Sequence, residues 1–274
     1  MGPVEDSQPL ERGVPMGALL ALETSWDVGS VAVALEGRVV SRRFLTERSA
    51  HGAHLVGAVG EALDEAGIGP PEVTALAVGS GPGSFTGVRI AGATGKGLAG
   101  ALGIPLFAGS SLMAAAVATD VLPVVDGGLP LALLGRGPGG APRRLDPGER
   151  EIRYVLLDAR GGRVYGGCYE VTRSPAATDS ADGPLLGDLA VRTLVEAHGG
   201  TIVEVLNRRS PLGTAFTGPG AAAHGDLIRA AGYGVLPAPA GIPTADGVLA
   251  TCSWTPVDRG AWEPDYVRGW SPGG

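Results

Sequence analysis

SGPGSFTGVRIAGATGKG, residues 80–97, concentrates Gly, Pro, Ser, Thr, Arg and Lys in one short run, a composition suited either to a phosphate cradle or to a tight structural turn. Familiar motifs can be tested against it directly. A P-loop needs G-x-x-x-x-G-K-[ST], but Thr86 stands five residues after Gly81 and Ile90 five before Gly95, so both registers fail. The dinucleotide fingerprint G-x-G-x-x-G reaches Ser84 from Gly79 and Thr86 from Gly81, without its third glycine. A serine-hydrolase elbow needs glycines two residues either side of Ser84, where Pro82 and Thr86 stand. What remains is a strand end, a Pro-Gly turn and a helix opened by Ser84 and Thr86. Hydroxyls there cap backbone N–H groups that can equally bind an anion. Arg89, one turn on, can contact that anion or sit at the surface, and on these residues alone both readings stand.

Working outward, ALLALETSWDVGSVAVALEGRVVSRRF predicts a strand, a turn and a further hairpin with its turn at Glu36-Gly37. HGAHLVGAVGEALDEAG places Leu55, Val59 and Leu63 four apart, a helix from about His51 that ends near Gly67. VTALAVG is a buried strand leading into the 80–97 run, and IPLFAGSSLMAAAVA gives another strand and helix. IRYVLLDARGGRVYGGCYE then repeats the opening plan: an apolar strand ending in an acid, a Gly turn and a second strand. AFTG, the Gly turn GPG and a helix AAAHGDLIRAAG follow, and TRSPAATDSADGPLLGD reads as a loop.

These patterns divide the chain into a disordered leader or misassigned start over 1–15, a first domain over 16–122, a Gly/Pro-rich linker or insertion over 123–150 and a second domain over 151–274. At 274 residues with 44% hydrophobic composition the chain can bury a large core or two smaller ones. A formal charge of −7 leaves no diffuse basic surface for nucleic acid. No signal peptide and no membrane span is visible. Two cysteines without ligand-spaced partners argue against a disulfide framework or structural zinc and fit a reducing, cytoplasmic setting. His51 and His54 can share a helix face, but two ligands without a third do not make a metal site.

GPGSFTGVRI resembles the signature of the bacterial TsaB family, also called YeaZ. LLALETSWDVGSVAVALEG, HGAHLVGAVGEALDEAG, IPLFAGSSLMAAA, VLLDARGGRVYGGCY and EPDYVR resemble further segments of that family. The resemblance implies an actin-like fold, related to sugar kinases and Hsp70, of two α/β domains. It implies a non-catalytic subunit that dimerises with the catalytic paralogue TsaD, joined by the ATPase TsaE, in threonylcarbamoyl transfer to adenosine 37 of tRNAs reading ANN codons. It further implies tRNA contact only through the complex, a homodimer in isolation, no cofactor required by this chain, and ATP or ADP at the interface with the partner. The histidine pair that holds metal in the catalytic relative has no counterpart in SSLMAAAVATD, so no metal is expected. The positions expected near a nucleotide or anion are Glu23, Thr24, Gly81, Gly83, Ser84, Thr86, Arg89 and Asp158. Those expected at the partner interface are His51, Leu55, Val59, Gly92, Gly95, Lys96 and Ala99.

A competing reading makes the chain an independent ATP-dependent kinase or acyltransferase, with Glu23 and Asp158 positioning a metal across a cleft and TGPGAAAH echoing an adenosine site. A glycoprotease-like peptidase is a further alternative, although no elbow serine or metal triad supports it.

Overall fold

A computed structural model describes residues 14–47, 51–122, 144–177 and 185–267. The expected opening meander is β1 (Ala18–Glu23), β2 (Gly29–Leu35) and β3 (Arg38–Leu45). Glu36 and Gly37 both take positive φ in the β2–β3 turn, the geometry that matches strand twist in a two-residue hairpin. Helix α1 (His51–Glu65) leads through a turn at Gly67 to β4 (Val73–Gly79). Helix α2 (Phe85–Leu102) and β5 (Leu106–Gly109) complete a sheet ordered β3-β2-β1-β4-β5. β1 runs antiparallel to β2 and parallel to β4.

After α3 (Ser111–Ala116) and α4 (Ala118–Val121), the plan recurs in β6 (Arg150–Arg160), β7 (Arg163–Arg173) and β8 (Leu189–Thr201). Next come α5 (Ile202–Asn207), β9 (Ala215–Thr217), α6 (Pro219–Ala223), α7 (Gly225–Ala230) and β10 (Gly234–Val235). The second sheet is ordered β10-β9-β6-β7-β8, so each sheet has the same arrangement about its own first strand. Helix α8 (Ala245–Thr251) closes the set.

Alternation along β1 explains the layers. Leu20 and Leu22 pack under α1 and α2 with Leu55, Val59, Ala91 and Ala99. Leu19 and Ala21 point the other way, to Ala245, Val248 and Leu249 of α8. Helix α3 carries Leu112 and Ala115 onto Val155, Leu157 and Val171 of the second sheet, and helices α5 to α7 cover that sheet's far face through Ile202, Val205, Ala221 and Ile228.

Three sequence expectations change. β8 went unread because LAVRTLVEAH mixes helix-favouring Leu, Glu and Ala into a half-exposed edge strand. The single helix expected over AAAHGDLIRAAG is two short ones, broken at His224. Residues 245–257 were grouped with the second domain, yet Ala245, Val248, Leu249, Cys252 and Trp254 sit in the core of the first sheet, and Val257 packs against it too. Apolar burial on the alanine-rich face of β1 and β4 draws them back. Most of the expected leader, 1–13 of 1–15, and most of the expected insertion, 123–143, lie outside the described residues, whereas Val14 packs against the core of the first sheet.

Candidate functional site

Glu23 closes β1 and is fully buried. Its Oε2 accepts the Ser111 hydroxyl at 2.7 Å, and its Oε1 accepts the Ser25 amide. Ser111 Oγ accepts the Gly81 amide at 3.1 Å, while the Ser111 amide donates to the Gly81 carbonyl at 2.9 Å. Burial pushes the Glu23 carboxyl above its ordinary pKa, and the bonds from Ser111 and Ser25 pull it partly back. A β-carbon on Gly79 would stand 1.9 Å from Glu23 Oε2, so only glycine fits beside the acid.

The Thr24 hydroxyl donates to the Gly87 carbonyl at 2.7 Å and accepts the Ala91 amide at 3.1 Å, engaging both ends of one rung of α2. The Ser25 carbonyl accepts the Ser84 amide at 2.7 Å. Ser84 caps α2 by accepting the Gly87 amide on its side chain. β-carbons on Gly83 and Gly87 would lie 2.5 Å from the Ser25 carbonyl oxygen and 1.9 Å from that of Thr24. The glycines of the 80–97 run therefore let its backbone press onto Glu23-Thr24-Ser25. In this chain the stretch is a packing junction that fixes where α2 begins.

Two adjoining recesses flank that junction. One, of about 540 Å³, is lined by Trp26, Asp27, Gly83, Ser84, Thr86 and Asp158 among others. The other, of about 600 Å³, also touches Ser84 and Thr86 and reaches Glu47, His51 and Ile90. Gly83, Ser84, Thr86 and Asp158 are thus brought together, with Asp158 exposed and accepting the Arg160 amide at 2.8 Å. Glu23, Thr24 and Gly81 are not at this cleft surface: all three are buried. The expected carboxylate pair across the cleft is accordingly not formed, because the serine bonds and Gly79 enclose Glu23 within the first sheet's junction. Arg89 is drawn to an aromatic cluster instead, its guanidinium 3.7 Å from the Phe85 ring centroid and its Nε donating to Tyr266 Oη at 2.9 Å.

The expected interface residues also move. Leu55, Val59 and Ala99 are core residues, and a β-carbon on Gly95 would meet Val78 at 2.4 Å, so these four face the chain's own sheet. His51 is buried, its Nε2 accepting the Gly29 amide at 3.1 Å, which fastens α1 to β2. Gly92 and Lys96 lie under the segment that follows α8. A β-carbon on Gly92 would lie 3.2 Å from the Trp262 indole, and Lys96 Nζ donates to the Trp262 carbonyl. That segment runs as a strap along α2: Arg259 Nη1 donates to the Ala99 carbonyl at 2.7 Å at one end. At the other, the Asp265 amide donates to the Ser80 carbonyl at 2.8 Å.

The residues that do face outward were legible from helical phase. On α1, Val56, Gly57 and Gly60 lie opposite the Leu55-Val59-Leu63 stripe, and Val56 is 59% exposed. On α2, Phe85, Arg89, Ala93 and Gly97 form an exposed stripe four residues apart. Among the described residues, nothing stands within 4 Å of a β-carbon placed at Gly57, Gly60 or Gly97. Ser111 and the strap had no such signal, since both act across long sequence separations. Among the described residues no three His, Cys, Asp or Glu side chains stand close enough to share a metal ion, and none of the described helices is long and apolar enough to cross a membrane.

Two five-stranded mixed sheets of matching strand order, each flanked by helices, define the two-domain α/β class of actin-like folds. A solved chain from Pseudomonas aeruginosa, described as similar to peptidase YeaZ, superposes with a TM-score of 0.63 at 26% identity, covering 92% of this chain and all of its own. Residues 40–140 match the family model described as TsaD, tRNA N6-adenosine threonylcarbamoyltransferase. The tRNA threonylcarbamoyladenosine biosynthesis protein TsaB of Haemophilus influenzae is 40% identical over 100 residues, 36% of this chain and 42% of that protein. Its Bacillus subtilis counterpart is 30% identical over 152 residues, 56% and 55% of the respective chains. The chain thus spans about half the length of these curated relatives. Curated TsaB proteins at 30–40% identity, together with solved chains named YeaZ, support the TsaB/YeaZ family.

Proposed function

We propose that this chain is an accessory subunit of tRNA threonylcarbamoyladenosine biosynthesis. It pairs through the outward faces of α1 and α2 with a TsaD-like catalytic subunit that modifies adenosine 37 of tRNAs reading ANN codons. The observation that carries the reading is the placement of Gly57, Gly60 and Gly97 within helices where none of the described residues comes within 4 Å of an added β-carbon. Each such glycine costs about 1 kcal/mol relative to alanine, a cost that close approach of a second helix pair offsets. The family match supports the identity of that pair: residues 40–140, which include α1 and α2, fit the TsaD description itself, so two related subunits would present like faces to each other.

In this reading the chain does no chemistry of its own, a TsaE-like ATPase joins the assembly, and tRNA is held chiefly by the partner. ATP or ADP lodges at the subunit interface, and the isolated chain pairs with itself. The test is co-purification with the TsaD-like protein of the same genome, followed by a tRNA modification assay. Modification should require both proteins. Turnover by this chain alone, given threonylcarbamoyl-adenylate and tRNA, would refute the accessory role. The competing ATP-dependent enzyme would need Glu23 at the cleft surface, and its burial speaks against that use. ATP hydrolysis by the isolated chain would revive it.

A further inference from the structure

We propose that Arg89 is the charged anchor of the docking face, a pre-set guanidinium that takes a carboxylate of the partner subunit. The inference rests on the pairing reading above and adds to it a residue and a chemistry.

Arg89 is exposed, yet it is held. Its guanidinium carbon lies 3.7 Å from the Phe85 ring centroid and 5.7 Å from that of Tyr266, and its Nε donates to Tyr266 Oη at 2.9 Å. The two rings lean on each other, centroids 5.5 Å apart. Stacking and one hydrogen bond thus fix the side chain, while its two terminal nitrogens make no hydrogen bond or ion pair among the described residues. A guanidinium whose rotamer is already set loses less freedom on binding and offers a fork that matches a carboxylate in two parallel bonds.

Its position continues the outward stripe of Phe85, Arg89, Ala93 and Gly97. Phe85 and Tyr266 are 56% and 40% exposed, so the cation is framed by apolar rings. Arginine with tyrosine is the composition of interface hot spots. The other cation of α2, Lys96, is committed to Trp262. Arg89 is therefore the one uncommitted cation of α2, on a chain of net charge −7. One arginine can recognise a carboxylate, whereas tracking an RNA backbone calls for several cations in a row. Charge complementarity on this stripe favours an acidic side chain of the protein partner.

The test measures affinity between the full chain and the TsaD-like protein for the wild type, Arg89→Ala, Arg89→Lys and Gly97→Leu, with thermal midpoints of each isolated variant. Arg89→Ala should weaken pairing by about tenfold or more with its midpoint unchanged, as for loss of a central anchor. Arg89→Lys should recover only part of that, and the wild-type affinity should fall more steeply with salt than that of Arg89→Ala. Pairing of Arg89→Ala within about twofold of wild type, while Gly97→Leu no longer pairs, would overturn the anchor and leave the pairing reading standing. Normal pairing with weakened tRNA binding by the complex would assign the guanidinium to RNA and overturn it as well. A midpoint that falls in step with affinity would make the residue a folding element. A wild type that does not pair removes both the anchor and the reading it rests on.

Discussion

The indole of Trp262 lies 3.2 Å from where a β-carbon on Gly92 would stand. The strap therefore crosses α2 at a point where the helix has been cut back to backbone. Gly92→Leu should push the indole off the helix, breaking the Lys96 contact with the Trp262 carbonyl. The expected cost is about 1–3 kcal/mol, typical of overfilling a packed contact. Chemical unfolding measures that cost, and limited proteolysis should show faster cutting within 255–267.

Gly57, Gly60 and Gly97 should behave in the opposite way. With open space around each, alanine enters without a clash, and each replacement should raise the stability of the isolated chain by about 1 kcal/mol. Leucine at Gly97 should leave folding intact and remove pairing. Circular dichroism melts and light scattering on the mixed subunits check both outcomes, and a destabilised Gly97→Ala would show that the face is already occupied within the chain.

The reach of sequence reasoning can be judged from α1 and α2. Both helices, the β2–β3 turn and the repeated hairpin plan were visible, because periodicity and turn chemistry are local. The facing of the two helices was misjudged: Leu55, Val59 and Leu63 form the apolar stripe of α1 at four-residue spacing, so burial claims it for the chain's own sheet. Gly95 was counted with the exposed small residues, although only contact with Val78 makes glycine necessary there. Glu23 looked like a cleft acid since it ends a strand before a turn. Its enclosure depends on Ser111, which lies 88 positions away in sequence, and no short-range pattern announces that.

Two titrating groups, the half-buried His198 and the buried Glu23, give the stability a dependence on pH. Burial lowers the His198 pKa from its usual 6.5. The folded state thus favours the neutral ring, and the associated stability is present above about pH 6.5 and is lost as pH falls below it towards the folded pKa. Burial raises the Glu23 pKa from its usual 4.5. Its carboxyl favours the protonated form when folded, so that stability is present below pH 4.5 and is lost as pH rises through the folded value. Urea midpoints measured across this range should lose their low-pH slope below 6.5 in His198→Gln and their slope above 4.5 in Glu23→Gln.

The two flanks of residues 123–143 are tied together. Arg144 Nη2 donates to the Leu122 carbonyl at 3.0 Å, and the Leu145 amide donates to Asp120 Oδ1 at 2.8 Å. Asp120→Ala should destabilise the fold by about 3 kcal/mol or more, because it strips the buried Arg153 guanidinium of its enclosed partner. Calorimetry on this variant measures the loss, and a midpoint equal to that of the wild type would show that the pair does not support the fold.

The return of α8 and the strap to the first sheet also sets an order of assembly during synthesis. The first sheet, α1 and α2 leave the ribosome well before Val248, Leu249 and Trp254, which fill the alanine-rich face of β1 and β4. A nascent chain halted after the second sheet has both sheets but a bare flank on β1 and an unbraced α2. The amino-terminal half is thus the first to be made and the last to be finished, and the outward face of α2, with Tyr266 against Phe85, is complete only when translation has passed residue 266.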